Sequence, residues 1–163
     1  MGTKGKVGDV FLIPLQGGGS AGGQIVSAWK DELYIAVFDR RLGIGENDPS
    51  VVIGGTPIFL ALTLDAKLWH GDWPTIGNIQ DNLRTFPQPA YKVRQVGVVF
   101  VESRDRTISR PASPGEESVL RYRTVSSPAV VDAAVNAHFG IGDWAPHYDE
   151  LRSDYAESSS RLL

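Results

Sequence analysis

Glycine and proline break this chain into short apolar runs, and that punctuation limits its folds more than any other feature. Eighteen glycines and ten prolines are spread through 163 residues, and the stretches between them read as strands joined by turns. In Val7–Leu15, Phe11, Ile13 and Leu15 share one face, and Val10, Leu12 and Pro14 the other. Pro14 has no N–H for a ladder, so this strand lies at an edge or bends there. Gln24–Trp29 and Leu33–Phe38 read as a hairpin across Lys30-Asp31-Glu32. Gly43–Gly55 reads as a loop, and Pro57–Leu64, nearly all apolar, as a central strand buried on both sides. Asp65–Gly71 fits a helical turn with Asp65 as its cap, and Trp73–Ile79 a short strand. Asp81–Pro89 follows as a loop, then Tyr91–Val101 as one strand, Arg104–Glu117 as a mobile polar excursion and Ser118–Val125 as another strand.

The clearest helix starts late. Ser127 is its N-cap and Pro128 its first residue, and Val130, Val131, Ala134, Val135 and Ala137 follow before Gly140 closes it. Phe139 is placed to tuck back on the core, and Trp144–Tyr155 reads as a final helix. Strands followed by helices indicate a mainly β, α+β fold. The expectation is a small, strongly bent antiparallel sheet, or an SH3-like partly open barrel, with one or two C-terminal helices. The length suits one domain, taken as residues 1–155, with 156–163 as a flexible C-terminal tail.

Composition removes several chemistries. Without cysteine there is no disulfide, thiolate nucleophile or cysteine zinc site, and a reducing, cytoplasmic setting is expected. A net charge of −3 and a pI near 5.6 give no general attraction to nucleic acid and suit a basic protein partner. The lysines before Asp9 are not followed by an apolar h-region, so no signal peptide is expected. The run Ile58–Leu64 is far shorter than a membrane span, so no membrane partner is expected either.

The run Gly17–Gly23 satisfies G-x-G-x-x-G through Gly17, Gly19 and Gly22, with Asp39 at the end of a later strand as the ribose contact. A dinucleotide needs a helix directly after the last glycine, and Gln24–Glu32 is too short to supply one that crosses a sheet and returns. The same run satisfies G-x-S-x-G around Ser20, whose triad would need His138 or His147. One run matching two incompatible motifs reflects composition, and a flexible hairpin loop is expected there. His138, Asp143, His147 and Asp149 lie close in sequence and form the one metal-ligand candidate, but no metal or cofactor is expected. Arg40-Arg41 after Asp39 offers forked donors for an acidic group. Trp69 and Trp73 flank His70-Gly71-Asp72, Trp144 precedes Tyr148, and Trp29 stands at a hairpin end beside Lys30. Aromatic residues beside polar turns plug a core or anchor an interface.

Gly8-Asp9-Val10-Phe11-Leu12-Ile13-Pro14-Leu15, Tyr34-Ile35-Ala36-Val37-Phe38-Asp39 and Leu68-Trp69-His70-Gly71-Asp72-Trp73-Pro74-Thr75-Ile76-Gly77-Asn78 together resemble the immunity protein 26 family of bacterial polymorphic-toxin systems. Asp143-Trp144 and His147-Tyr148-Asp149-Glu150-Leu151 are similar to segments of some members. The resemblance covers Val7 to Leu151 and departs from the family in the enlarged glycine run. It implies a small β-rich cytoplasmic protein that neutralises a cognate toxin by binding it. A homodimer is compatible with the same reading. Some relatives carry a phosphotriesterase label, so a metal-dependent phosphotriester hydrolase using His138 and His147 is one alternative, and a β-barrel peptide-binding adaptor is another. No catalytic residue is carried over. The expected partner-binding residues are Trp29, Asp39, Arg40, Arg41, Trp69, His70, Asp72, Trp73, Trp144 and Tyr148.

Overall fold

A computed structural model describes residues 4–163, and by internal contact the chain divides into two units. One comprises the residues up to Thr85 together with Val125–Ser153; the other comprises Phe86–Thr124 and Asp154–Leu163. The helices are α1 (Pro49–Ile53), α2 (Ala66–Trp69), α3 (Pro114–Val119), α4 (Pro128–His138) and α5 (Ser153–Ser160). None is long and apolar enough to cross a membrane. The strands form two antiparallel sheets, neither closed into a barrel, so the fold is mainly β with helices toward the C-terminus.

In the first unit, β1 (Asp9–Pro14), β2 (Ser20–Trp29), β3 (Glu32–Phe38), β4 (Pro57–Thr63) and β5 (Thr75–Asn78) take the order β4-β3-β2-β1-β5. The β2–β3 turn is Lys30-Asp31, with Lys30 in the left-handed region at φ 53°. Pro14 still pairs with Ser20 of β2 but lies past the reach of β5, which pairs only with Asp9–Phe11. The missing N–H therefore breaks no ladder to β5. β3 is the strand buried along its whole length, whereas β4, expected to be central, forms one edge of the sheet. Its outer side is closed by other chain: Ser126 N–H donates to the Leu62 carbonyl at 2.9 Å, Thr63 Oγ1 donates to the Ser126 carbonyl at 2.8 Å, and Phe59 bridges to Arg152. An edge covered in this way needs no polar side chains for protection, so its sequence reads as that of a central strand.

Gly22 and Gly23 are strand residues, not part of a flexible loop. Successive residues of a strand face opposite sides, and both vacated positions are filled. A Cβ on Gly22 would collide with Val52 of α1, and one on Gly23 would come within 2.5 Å of the Phe11 ring, which lies directly across from it on β1. α1 occupies part of the expected Gly43–Gly55 loop; Asp48 caps it by accepting from Ser50 N–H at 3.0 Å, and Pro49 begins it. On the other face, α4 starts at the Ser127 cap and buries Val131, Ala134 and Val135 against Phe11, Ile13, Ile35 and Val37. Phe139 packs on the same cluster, and Gly140 follows at φ 87°. Trp144–Tyr155 is not one helix: a 3-10 turn over Pro146–Leu151 precedes α5.

The second unit holds β6 (Ala90–Gln95), β7 (Val98–Ser103) and β8 (Ser109–Pro111). The single strand expected over Tyr91–Val101 is thus a hairpin, turning at Val96 (φ 48°) and Gly97 (φ 79°). A valine in the left-handed region is an outlier, and the apolar run Val96–Val101 conceals the turn. Within Arg104–Glu117 lie β8 and the start of α3, held by a reciprocal capping box between Ser113 and Glu116. Ser118–Val125 is not a strand: it supplies the end of α3, the buried Leu120, and one bridge from Tyr122 to Lys92. Arg123 donates to Glu102 at 2.7 Å and to the Ser103 carbonyl at 2.8 Å, and lies over the Tyr91 ring. The tail expected at 156–163 is helical to Ser160. Ala156 and Ser159 are buried, Ser159 Oγ accepts from Ala90 N–H at 3.1 Å, and Tyr155 OH donates to the Ala90 carbonyl at 2.6 Å.

Two outcomes are expected. Gly22→Ala should cost about 1–3 kcal/mol through overpacking, and Val52→Ala should relieve part of that, giving a coupling of about 1 kcal/mol in a double-mutant cycle by urea denaturation. Strict additivity would reject the contact. In the second unit, the Thr107 hydroxyl above all holds Asp105 down at about 2, and Arg110 holds Glu116 down at about 2, from ordinary values of 3.8 and 4.5. Both groups bind protons more weakly folded than unfolded. Their stabilisation is therefore complete above the ordinary values and lost as pH falls towards about 2. Asp105→Asn with Glu116→Gln should flatten the acid limb of a stability–pH curve, and an unchanged limb would refute the assignment.

Candidate functional site

β3 runs for about 20 Å between Glu32 and Phe38 at strand rise, and the expected partner-binding residues divide between its two ends. At one end Trp29 pairs with Glu32, 37% exposed, with Lys30 Nζ 4.6 Å above its ring. β4 also finishes there and leads into α2, which presents Trp69 at 47% exposure, followed by exposed His70 and Asp72. Trp73 is a correction. It is 1% exposed, stacks on Phe11 at 5.4 Å and donates its indole N–H to Asp132 at 2.9 Å, so it belongs to the core and cannot touch a partner.

Asp39, Arg40 and Arg41 leave the other end of β3. α4 finishes there too, so that His138 Nε2 lies 2.9 Å from Asp39 Oδ1. Phe59 of β4 makes ring contacts with His138 and Trp144, and Trp144 meets Tyr148 edge to face at 5.3 Å. Trp144 also donates to Asp149 at 3.0 Å and lies 4.2 Å beneath the Arg152 guanidinium. Asp39, Trp144 and Tyr148 are therefore brought together, whereas Trp29, Trp69, His70 and Asp72 are not part of this end.

The same end carries the first half of the glycine run. The turn Leu15–Gly19 is closed by Leu15 N–H donating to the Gly19 carbonyl at 3.0 Å and by Gly18 N–H donating to the Leu15 carbonyl at 3.1 Å. Gly18 and Gly19 take φ of 93° and 71°, a region that only glycine enters freely. Gly19 also has no room for a side chain, because a Cβ would collide with the Leu42 carbonyl. Reciprocal backbone bonds between Ser20 and Leu42, of 3.0 and 2.7 Å, tie the segment after Arg41 to the start of β2. Gly43–Glu46 then folds on itself, with Gly43 N–H donating to Glu46 Oε2 at 3.0 Å and Glu46 N–H donating to the Gly43 carbonyl at 3.1 Å.

Ile44 stands at the tip of this segment with 92% of its surface in water. A cleft opens on either side of it. One, of about 370 Å³, is lined by Gly17–Gly19, Arg41 and Leu42. The other, of about 380 Å³, runs past Leu12, Ser20, Asn47, Pro74 and Ile76. Two of the charged groups here have side-chain partners: Asp39 meets the His138 ring, and Arg40 pairs with Glu46 at 3.4 Å. Arg41 instead donates to the Gly18 carbonyl at 3.0 Å.

This arrangement suits binding by shape, backbone polarity and one forked cation. Ser20 lies in a paired strand and no helix follows Gly22, so neither enzyme motif written into the glycine run has its required context. Among the described residues, no three histidine or carboxylate side chains converge as metal ligands. His138 is held by Asp39, and His147 lies edge-on to Tyr148 at 4.6 Å. Sequence reasoning missed Ile44, although a lone isoleucine between Gly43 and Gly45 in a polar stretch was a readable signal. The chain matches no protein-family model, no curated protein and no solved structure.

Ile44→Ala should change stability by no more than about 0.5 kcal/mol, as for a free surface residue. Trp73→Phe should cost about 1.5–3 kcal/mol, the range of a hydrogen bond to a charged group. Guanidinium unfolding of both variants tests the contrast, and equal losses would show that Ile44 is packed.

Proposed function

We propose that this chain is a bacterial immunity protein that binds and neutralises a cognate toxin domain in the cytoplasm. The observation that carries the reading is Ile44, a fully presented apolar side chain on a hydrogen-bonded loop between two clefts. Exposing such a group gives the isolated protein nothing, whereas burying it in a partner gains about 1.5–3 kcal/mol. Its loop is already ordered by the Gly43–Glu46 and Ser20–Leu42 bonds, so little entropy remains to be lost on binding. Arg40, Arg41 and Asp39 rim the same end, and arginine near a buried apolar anchor is a common composition of binding hot spots. The resemblance of Gly8–Leu15, Tyr34–Asp39 and Leu68–Asn78 to immunity protein 26 directs the reading toward toxin neutralisation.

A protection assay tests it. The chain is co-expressed with the toxin domain encoded beside its gene, and survival is compared with toxin alone. The expected result is rescue with co-purification of the pair. Ile44→Asp should weaken the complex by at least about 2 kcal/mol, roughly thirtyfold, as expected of a hot spot. Arg161→Ala, in the second unit, should behave as wild type. Absence of both rescue and complex would sink the immunity reading. Loss on Trp69→Ala with Ile44→Asp intact would move the contact surface to the opposite end of β3.

A further inference from the structure

The cleft beside the glycine turn holds a cation without a counter-charge. The charged side chains around it have partners of their own: Asp39 Oδ1 lies 2.9 Å from His138 Nε2, and Arg40 faces Glu46 at 3.4 Å. Among the described residues, no carboxylate pairs with Arg41. One of its five N–H donors goes to the Gly18 carbonyl at 3.0 Å, which fixes the guanidinium at the cleft wall and leaves four donors uncommitted. The glycines of the turn let these groups come close. A Cβ on Gly17 would crowd Arg41 and Ile141 at 3.2 Å, and one on Gly19 would strike the Leu42 carbonyl. A preorganised guanidinium in a concave site is the arrangement that recognises a planar, two-oxygen anion.

We infer that this cleft is a carboxylate-recognition site, which takes an aspartate or glutamate side chain of the protein partner while an apolar neighbour of that residue packs on Ile44. The inference rests on the immunity reading and specifies what the toxin presents to it. The acidic balance of the whole chain does not oppose it. Charges farther away than about 8 Å are largely screened at physiological salt, so the local guanidinium decides the contact. A carboxylate fits the geometry better than a phosphate, because a single fork is present and no second cation stands beside it: Arg40 is already engaged by Glu46.

The test has two arms. In the first, the ¹⁵N-labelled chain is titrated with acetate and separately with inorganic phosphate, with sodium chloride as the ionic-strength control. Acetate should produce saturable shifts at the Gly17, Gly18, Gly19 and Ile44 amides and at Arg41 Nε. The Kd should be on the order of tens of millimolar, as befits one charged contact. Arg41→Gln should abolish these shifts while leaving the rest of the spectrum in place, and Arg41→Lys should retain only part of them. No shift with acetate overturns the site, and phosphate binding more than tenfold tighter than acetate overturns the carboxylate assignment.

The second arm measures affinity for the toxin domain encoded beside the gene. Arg41→Glu should lower it on the order of a hundredfold, and reversing the charge of the matching toxin carboxylate should restore it. Unchanged affinity in Arg41→Glu overturns the inference and leaves the immunity reading standing. Acetate shifts without any toxin binding by the wild-type chain sink the immunity reading, and the assignment to a toxin side chain with it.

Discussion

Phe11 and Val52 approach β2 from opposite sides because residues 22 and 23 carry no side chains. Each glycine lets one layer of the first unit close on the sheet. Through Gly22, α1 packs against one face; through Gly23, the Phe11 ring lies across the ladder on the other, where Trp73 stacks on it. Trp73 in turn donates to Asp132 of α4, and Asp132 also pairs with Lys67 of α2 at 3.1 Å. The backbone approach at two positions thus propagates into the placement of three helices. Interiors pack at near-crystalline density, so an added methyl group at either position has nowhere to go without moving a layer.

The same glycine run serves a second purpose a few residues earlier. Gly18 and Gly19 turn the chain through left-handed backbone, and Gly19 leaves room for the Leu42 carbonyl, so the segment after β3 can lie alongside the start of β2. Hydrogen bonds to the backbone, not apolar packing, hold Ile44 in water and Arg41 at the cleft wall. A surface held this way can change its exposed side chains while keeping its shape.

Much of the local architecture is legible in the order of residues. The Ser127-Pro128 start and the apolar period that follows specify α4 through capping and backbone restriction, which act within a few residues. The Lys30-Asp31 hairpin and the interruption at Pro14 are local in the same sense. The errors arise where a local pattern has two readings. Val96-Gly97 sits inside an apolar run and hides a tight turn, because valine rarely takes positive φ. β4 reads as central because its outer edge is covered by Ser126 and Arg152, which are distant in sequence. Gly17–Gly23 reads as one loop, although its halves do different work.

The candidate site was legible only in part. Arg41 was readable as a forked donor beside a strand end, and Asp39, Trp144 and Tyr148 do gather with it at one end of β3. Trp73 misled, because an aromatic residue beside polar turns looks the same in sequence whether it plugs a core or faces a partner. The sequence by itself determined the mainly β class, the Ser127-Pro128 helix start, the absence of thiol chemistry and the apolar faces of the first strands, all set by neighbouring residues and periodicity. Only the tertiary structure decided which end of the sheet each loop occupies, which polar groups pair, and which apolar side chains are left in water. Those outcomes depend on residues far apart in the chain meeting in space, and no local spacing encodes such a meeting.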